Sequence, residues 1–190
     1  DIYCLLNSDI EVTKNWLKPI SDIFKNNENT TIVQPKILDY HHKNRFEYAG
    51  AGGGFIDQLG YPFCRGRVFD TLEEDQGQYN DQKDVFWASG ACLFIRANAF
   101  KELQGFDSKF FAHMEEIDLC WRAQNKGMIV TYTGMSTVYH IGAASLKFSN
   151  PKKTYLNFRN SLYTLVKNTN KPLLFVVFSR LILDGIAGVR

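Results

Sequence analysis

A chain of 190 residues with 45% hydrophobic side chains can bury one good core and is most simply a single domain. A net charge of +2, with no run of basic residues, argues against a nucleic-acid partner. Fifteen Phe, nine Tyr and three Trp make the chain rich in aromatic side chains, most of which are expected in the core.

Taken in order, Ile2 to Leu6 is a nearly continuous apolar run, which predicts a strand buried on both faces of a parallel sheet. Asn7-Ser8-Asp9 would then sit at the carboxyl edge of that sheet, where open α/β sheets bind ligands. Thr13 is placed to cap a helix carrying Trp16, Leu17, Ile20, Ile23 and Phe24 on one stripe and ending at Asn26-Asn27. Thr31 to Val33, before Pro35, predicts a second strand. From Asp39 to Asp84 periodicity fades among many glycines, and the segment reads as an irregular insertion over the substrate cleft, with short hairpins as the plainer alternative.

Phe86 to Arg96 predicts a strand interrupted at Ser89-Gly90. Short helices follow at Asn98 to Leu103 and at Glu115 to Lys126, the latter closed by Gly127. Met128 to Thr133 and Thr137 to Ile141 supply further strands. Pro151 opens a helix with Tyr155, Phe158, Leu162, Tyr163 and Val166 on one side and Lys152, Lys153, Arg159 and Lys167 elsewhere on its surface. The apolar stretch Leu173 to Ala187 contains Arg180 and Asp184, which suits an interfacial or docking helix better than a membrane span.

Chemistry concentrates in Phe110-Phe111-Ala112-His113-Met114-Glu115-Glu116-Ile117-Asp118, where carboxylates crowd a helix start. Such a cluster serves the helix macrodipole, a metal or a reacting proton. His140 ends an apolar strand and precedes Gly142, Ala143, Ala144 and Ser145, small residues that leave room for a ligand. Gly52-Gly53-Gly54 lacks the spacing and the Lys-Ser/Thr of a phosphate loop. Cys4, Cys64, Cys92 and Cys120 form no C-x-x-C pair, and three lie among apolar neighbours, which favours a reducing, cytoplasmic setting.

As an ordered set, Leu5-Leu6-Asn7-Ser8-Asp9, Phe86-Trp87-Ala88-Ser89-Gly90-Ala91-Cys92, Gly105-Phe106-Asp107, the acidic segment and Val138-Tyr139-His140-Ile141-Gly142 resemble the inverting family 2 glycosyltransferases, especially rhamnosyltransferase-like members that build bacterial surface polysaccharides. The resemblance implies an α/β fold, a three-layer α/β/α sandwich with a mostly parallel sheet of the GT-A type. It also implies that the chain, which opens on Asp1-Ile2-Tyr3 within a strand, lacks the first β-α-β portion that grips the nucleotide. Residues 1–149 would be the catalytic and acceptor half and 150–190 a helical extension. The implied reaction transfers a sugar from a nucleoside diphosphate sugar donor to a saccharide or lipid-linked acceptor, with Mg2+ or Mn2+ as cofactor.

Residue by residue, the resemblance makes Asp9 the main metal ligand and His140 a second one, with side chains expected within roughly 8 Å of each other. Asn7, which departs from the family's first aspartate, would face the ribose or a water. Glu116, one methylene longer than the family's aspartate, would be the catalytic base, with Glu115 as the fallback. Trp87, Ser89 and Gly90 fall on the acceptor-side strand, where Trp87 either stacks on a sugar or packs in the core. Asp107 would shape the loop before the catalytic helix; Asp118 would fix the helix start or bond to backbone amides, with Arg122 one turn later placed to pair with it. His41, His42 and His113 are read as surface residues.

Two other classes remain open from the sequence: a metal-dependent phosphohydrolase, and a non-catalytic sugar-nucleotide-binding or membrane-docking module. For the tail, Lys167, Lys171 and Arg180 are placed to meet anionic lipid at the inner face of the cell membrane. The alternative is packing on the chain's own domain or on a second copy, as in a homodimer.

Overall fold

The structure is a computed structural model that describes residues 1–142 and 151–188. Its elements in chain order are β1 (Ile2–Leu6), β2 (Ile10–Val12), α1 (Leu17–Asn26), β3 (Thr30–Asp39), β4 (Gly54–Ile56), β5 (Pro62–Cys64), β6 (Arg67–Val68), β7 (Thr71–Leu72), β8 (Gln82–Asp84), β9 (Cys92–Arg96), α2 (Ala97–Glu102), α3 (Glu115–Asn125), β10 (Ile129–His140), α4 (Pro151–Asn168) and α5 (Leu173–Gly188). The main sheet runs β1-β9-β3-β10-β2, with β8 also paired to β10.

The sheet is sandwiched because its central strands are apolar on both faces. Side chains alternate across a strand, so Ile32, Leu93 and Ile95 join Ala99 of α2, Leu103 just after it, and Ile117, Leu119 and Ala123 of α3 in one core. Val33, Cys92 and Phe94 point the other way and pack with Ile20, Ile23 and Phe24 of α1. Burying each of these large apolar side chains contributes roughly 1.5–3 kcal/mol. The α/β layering matches the sequence expectation.

The strand directions do not. Among the described strands only β3 and β10 pair in parallel; β1–β9, β3–β9, β2–β10 and β8–β10 are antiparallel. An apolar run marks a buried strand without marking its direction, so the expected mostly parallel sheet is corrected to a mixed one. Among the described strands β1 pairs with β9 alone, and Ile2 and Leu6 are 42% and 44% exposed.

Local differences have local causes. Thr13 does not cap α1; its hydroxyl donates to the Thr137 carbonyl at 2.7 Å, tying β2 to β10. β3 continues through Pro35 to Asp39 because β10 bulges opposite it: Thr133 faces Pro35, and the next paired residue, opposite Lys36, is Thr137. The missing Pro N–H thus falls where the ladder is already interrupted. The two strands expected at Met128 to Thr133 and Thr137 to Ile141 are therefore one bulged strand. Gly127 closes α3 with a φ of 76°, and the glycine-rich insertion forms the hairpins β4–β5 and β6–β7.

On α4 the expected apolar side is the outer one. Tyr155, Phe158, Tyr163 and Val166 are exposed, and the buried face is Leu156, Asn160, Ser161, Thr164, Leu165 and Asn168. Arg159 and Lys167 are engaged with the loop before α3 and with Asp107 and Asp118 rather than free on the surface.

Candidate active site

Asp9 and His140 reach each other because β2 and β10 pair in register, with His140 opposite Ile10 and the Ile141 amide donating to the Asp9 carbonyl at 3.2 Å. The Asp9 Oδ1 and His140 Nε2 atoms are 3.3 Å apart, well inside the expected reach. Two donors about 2.1 Å from one ion, at angles between octahedral and tetrahedral, lie roughly 3.0–3.4 Å apart, so the pair fits a shared divalent cation. No group of three or more His, Cys, Asp or Glu side chains among the described residues could hold a metal. Oxygens from a ligand or from water would have to complete the coordination.

Asn7 lies against the same ring, its Nδ2 3.4 Å from His140 Nε2, and its backbone N–H donates to Ala91 O at 3.0 Å. On the opposite side of the imidazole stands Glu47, which no sequence pattern singled out. Its Oε1 is 3.4 Å from His140 Nδ1, an ion-pair distance that is off hydrogen-bond geometry, and its Oε2 accepts from the Ala49 amide at 2.6 Å. Because the two ring nitrogens point apart, Glu47 cannot share an ion with Asp9 through this histidine; its position is that of an outer support. Burial works against charge on His140, yet Glu47 and Asp9 outweigh it and hold the imidazole above its ordinary pKa.

A cavity of about 840 Å³ is lined by Asn7, Glu47, Ser89, Gly90, Glu115, Glu116 and His140 among others. Asp9 is not in its wall and reaches it through His140. Glu115 and Glu116 begin α3, with Asp118 in the same first turn, where the helix N-terminus favours negative charge. Each of the two glutamates keeps a buried Oε2 without a partner. Burial, and then the charge of Glu115, push the Glu116 carboxyl up to about 8. Gly90 packs on Glu116, where a methyl group would meet its side chain at 3.5 Å, an ordinary contact.

Asp118 is fully buried and pairs with Arg122 at 2.8 Å, as expected, but also with Lys167 and Asn168 of α4 at 3.0 and 2.8 Å. Asp107 shapes its loop by accepting from the Lys109 amide at 3.0 Å. His113, read as a surface residue, instead lines the cavity with a buried, unpartnered Nε2, and burial and then Lys153 lower its pKa. His41 and His42 are exposed.

Trp87 is 5% exposed. Its indole N–H donates to Phe55 O at 2.8 Å, and Gly54 lies so close that a methyl group there would come within 2.1 Å of the ring. The indole is thus packed in the core, and Trp87 also contributes to the wall of the cavity. Ser89 is held by Gln34, which accepts from the Ser89 amide at 2.7 Å and donates to Gly50 O at 2.6 Å. Arg180 is 1% exposed, bound to Leu59 O, Ser161 and Asp184 at 3.0, 2.7 and 3.3 Å, so it cannot meet lipid head groups as the sequence suggested. Ala143, Ala144 and Ser145 lie outside the described residues.

No family model matches the chain. Among curated proteins it is 33% identical over 93 residues to an N-acetylglucosaminyl-diphospho-decaprenol L-rhamnosyltransferase of Mycobacterium tuberculosis, a match covering 49% of this chain and 30% of that protein. It is 24% identical over 157 residues to a low-salt glycan biosynthesis hexosyltransferase of Haloferax volcanii, covering 82% and 48%. It is 25% identical over 146 residues to an O-antigen biosynthesis protein of Myxococcus xanthus, covering 76% and 11%. The chain thus spans less than half the length of these relatives. Among solved structures, GalNAc-T7 with UDP, GalNAc and Mn2+ superposes with a TM-score of 0.57 at 15% identity, covering 86% of this chain and 31% of that one. That likeness establishes the fold, a mixed α/β arrangement of the GT-A glycosyltransferase type.

Proposed function

We propose that the chain carries the metal, catalytic and acceptor-side portion of a glycosyltransferase. The reaction is inverting transfer of a sugar from a nucleoside diphosphate sugar to a saccharide or lipid-linked acceptor in surface-polysaccharide synthesis. The observation that carries this reading is a cavity whose wall joins His140, paired with Asp9, to Glu115 and Glu116, each with one buried carboxylate oxygen left without a partner. The relatives' names support it: two are sugar transferases, and the mycobacterial one acts on a sugar linked through diphosphate to decaprenol.

Asp9 and His140 would hold a divalent cation, Mg2+ or Mn2+, which when bound offsets the charge developing on a departing diphosphate. Asn7, whose Nδ2 stands 3.4 Å from the same Nε2, would turn from the ring when an ion is bound and face the ribose or a water in the cavity it lines. Glu116, raised to about 8 by burial and by Glu115, is matched to accepting a proton from an acceptor hydroxyl near neutral pH. Ser89 and Gly90 form the wall facing it. The pairing of β1 with β9 alone among the described strands supports a further strand-bearing portion beside it, and the outward apolar side chains of α5 support action at the inner face of the membrane.

The test is nucleotide release by the intact protein from a panel of sugar nucleotides, with Mn2+ or with a chelator. Release that requires both metal and acceptor supports the reading. Release without an acceptor would favour a phosphohydrolase, and nucleotide binding with no release under any condition a non-catalytic module.

A further inference from the structure

We propose that Asn160, braced by Arg159, is the positioning residue that holds the entrance of α3 and thereby sets the carboxylates of Glu115 and Glu116 in the cavity; this rests on the reading of those glutamates as the reacting pair. The entrance is not fixed by its own sequence. Met114, the N-cap, makes no side-chain capping bond, and Phe111, His113 and Met114 have φ of 65°, 69° and 73°. L residues rarely adopt such backbone, and it persists only where surrounding contacts over-determine it.

Those contacts come from α4. Asn160 is 0% exposed, and its amide nitrogen donates to the carbonyls of Phe110, Ala112 and His113 at 3.0, 2.8 and 2.7 Å, so its N–H groups are shared across the whole bend. Arg159 Nε donates to Asn160 Oδ1 at 2.9 Å, which fixes which end of the amide faces the loop. Its Nη2 adds bonds to Lys109 O and Phe110 O at 3.1 and 3.0 Å. The rest of α3 is held separately, through Arg122 donating to Gly105 O, Gln124 to Phe86 O and Asn125 to Asn168 O at 2.9, 2.7 and 2.9 Å. Loss of Asn160 therefore frees the entrance while α3 stays docked, which separates a positioning role from a merely structural one.

The experiment uses the intact protein, with Asn160→Ala, Glu116→Gln and the double variant. Misplacing a reacting group by about 1 Å costs on the order of 10²-fold, so Asn160→Ala is expected to lower kcat by roughly that factor while donor KM changes little. In the Glu116→Gln background the same substitution should have almost no further effect. Amide hydrogen exchange at residues 110–114 should quicken in Asn160→Ala, with exchange in β3 and β10 unchanged. Wild-type kcat, or losses that simply multiply in the double variant, would overturn the proposal. If Glu116→Gln alone leaves turnover intact, the base reading fails, and the exchange at residues 110–114 still decides the clamp. Should Asn160→Ala not fold, Arg159→Ala must show the same pattern in weaker form; unchanged kcat and exchange in Arg159→Ala would count against the clamp.

Discussion

Glu116 is subject to opposing demands: its carboxyl must be desolvated to react at neutral pH, yet desolvation keeps it protonated. Replacing it with Gln preserves shape and removes basicity, so turnover should fall by about 10²-fold or more, with donor binding little changed. If Glu115→Gln is the variant that loses turnover and Glu116→Gln does not, the role moves one residue back. Because the carboxyl titrates at about 8 rather than 4.5, the rate should rise with pH and level off above about 8. The same shift affects stability with the opposite trend. The folded chain keeps a proton that the unfolded chain releases above 4.5, so this group's contribution declines as pH climbs from 4.5 to about 8. Urea unfolding across that range should show a slope that Glu116→Gln reduces. Asp9, His140 and the two glutamates stand beside apolar or periodic runs, but only the ordered resemblance of the surrounding motifs marked them as a site. Glu47, in a segment without periodicity, meets His140 only through long-range folding, and no spacing announces that contact. Trp87 shows a related limit: its packing under Gly54 depends on a close approach that no spacing in the sequence announces.

The elements were legible where one periodicity dominates a segment. α1, α2 and α3 lie where apolar stripes and Gly127 put them, and the two cores follow from alternation along β3 and β9. Pairing partners and directions were not legible, since β9 enters the sheet between β1 and β3 through contacts remote in sequence. α4 misled because its aromatic stripe is outside while it buries amides and hydroxyls that bind the α3 loop. The bulge in β10 carries a sharp expectation. A methyl group on Gly134 would lie 2.1 Å from the Tyr79 carbonyl oxygen and 2.6 Å from Asn80 Cα, both backbone atoms that cannot swing away. Gly134→Ala should therefore destabilise the protein by about 1–3 kcal/mol, the usual cost of overpacking. A midpoint of thermal unfolding equal to that of the parent would show that the bulge can move.

On the scale of the whole molecule, α4 and α5 have two unlike faces. Inward, Val176 and Arg180 are buried, and Arg180 lies over the Tyr61 ring at 3.7 Å. Outward, Leu174, Phe175 and Phe178 are 88%, 72% and 66% exposed, with Leu181, Ile182 and Ile186 beside them. No helix among the described residues is long and apolar enough to cross a membrane, so a lipid surface would be met edgewise, as amphipathic helices meet it. With Arg180 turned inward, Lys167 paired to Asp107 and Asp118 and the Lys171 ammonium donating to Gln58 O at 2.8 Å, apolar insertion should contribute more to the contact than charge. The intact protein should then sediment with neutral as well as anionic vesicles, and raising salt should change the bound fraction little, since screening acts on exposed charges. Phe175→Asp with Phe178→Asp should abolish sedimentation while leaving nucleotide release from the donor, measured with a soluble acceptor, unchanged. This pair is a cleaner probe than deleting residues 172–190, which would also uncover the inward face around Val176. If the double variant still sediments, or if the parent never does and the variant instead shifts from dimer to monomer, the face packs against protein and not lipid.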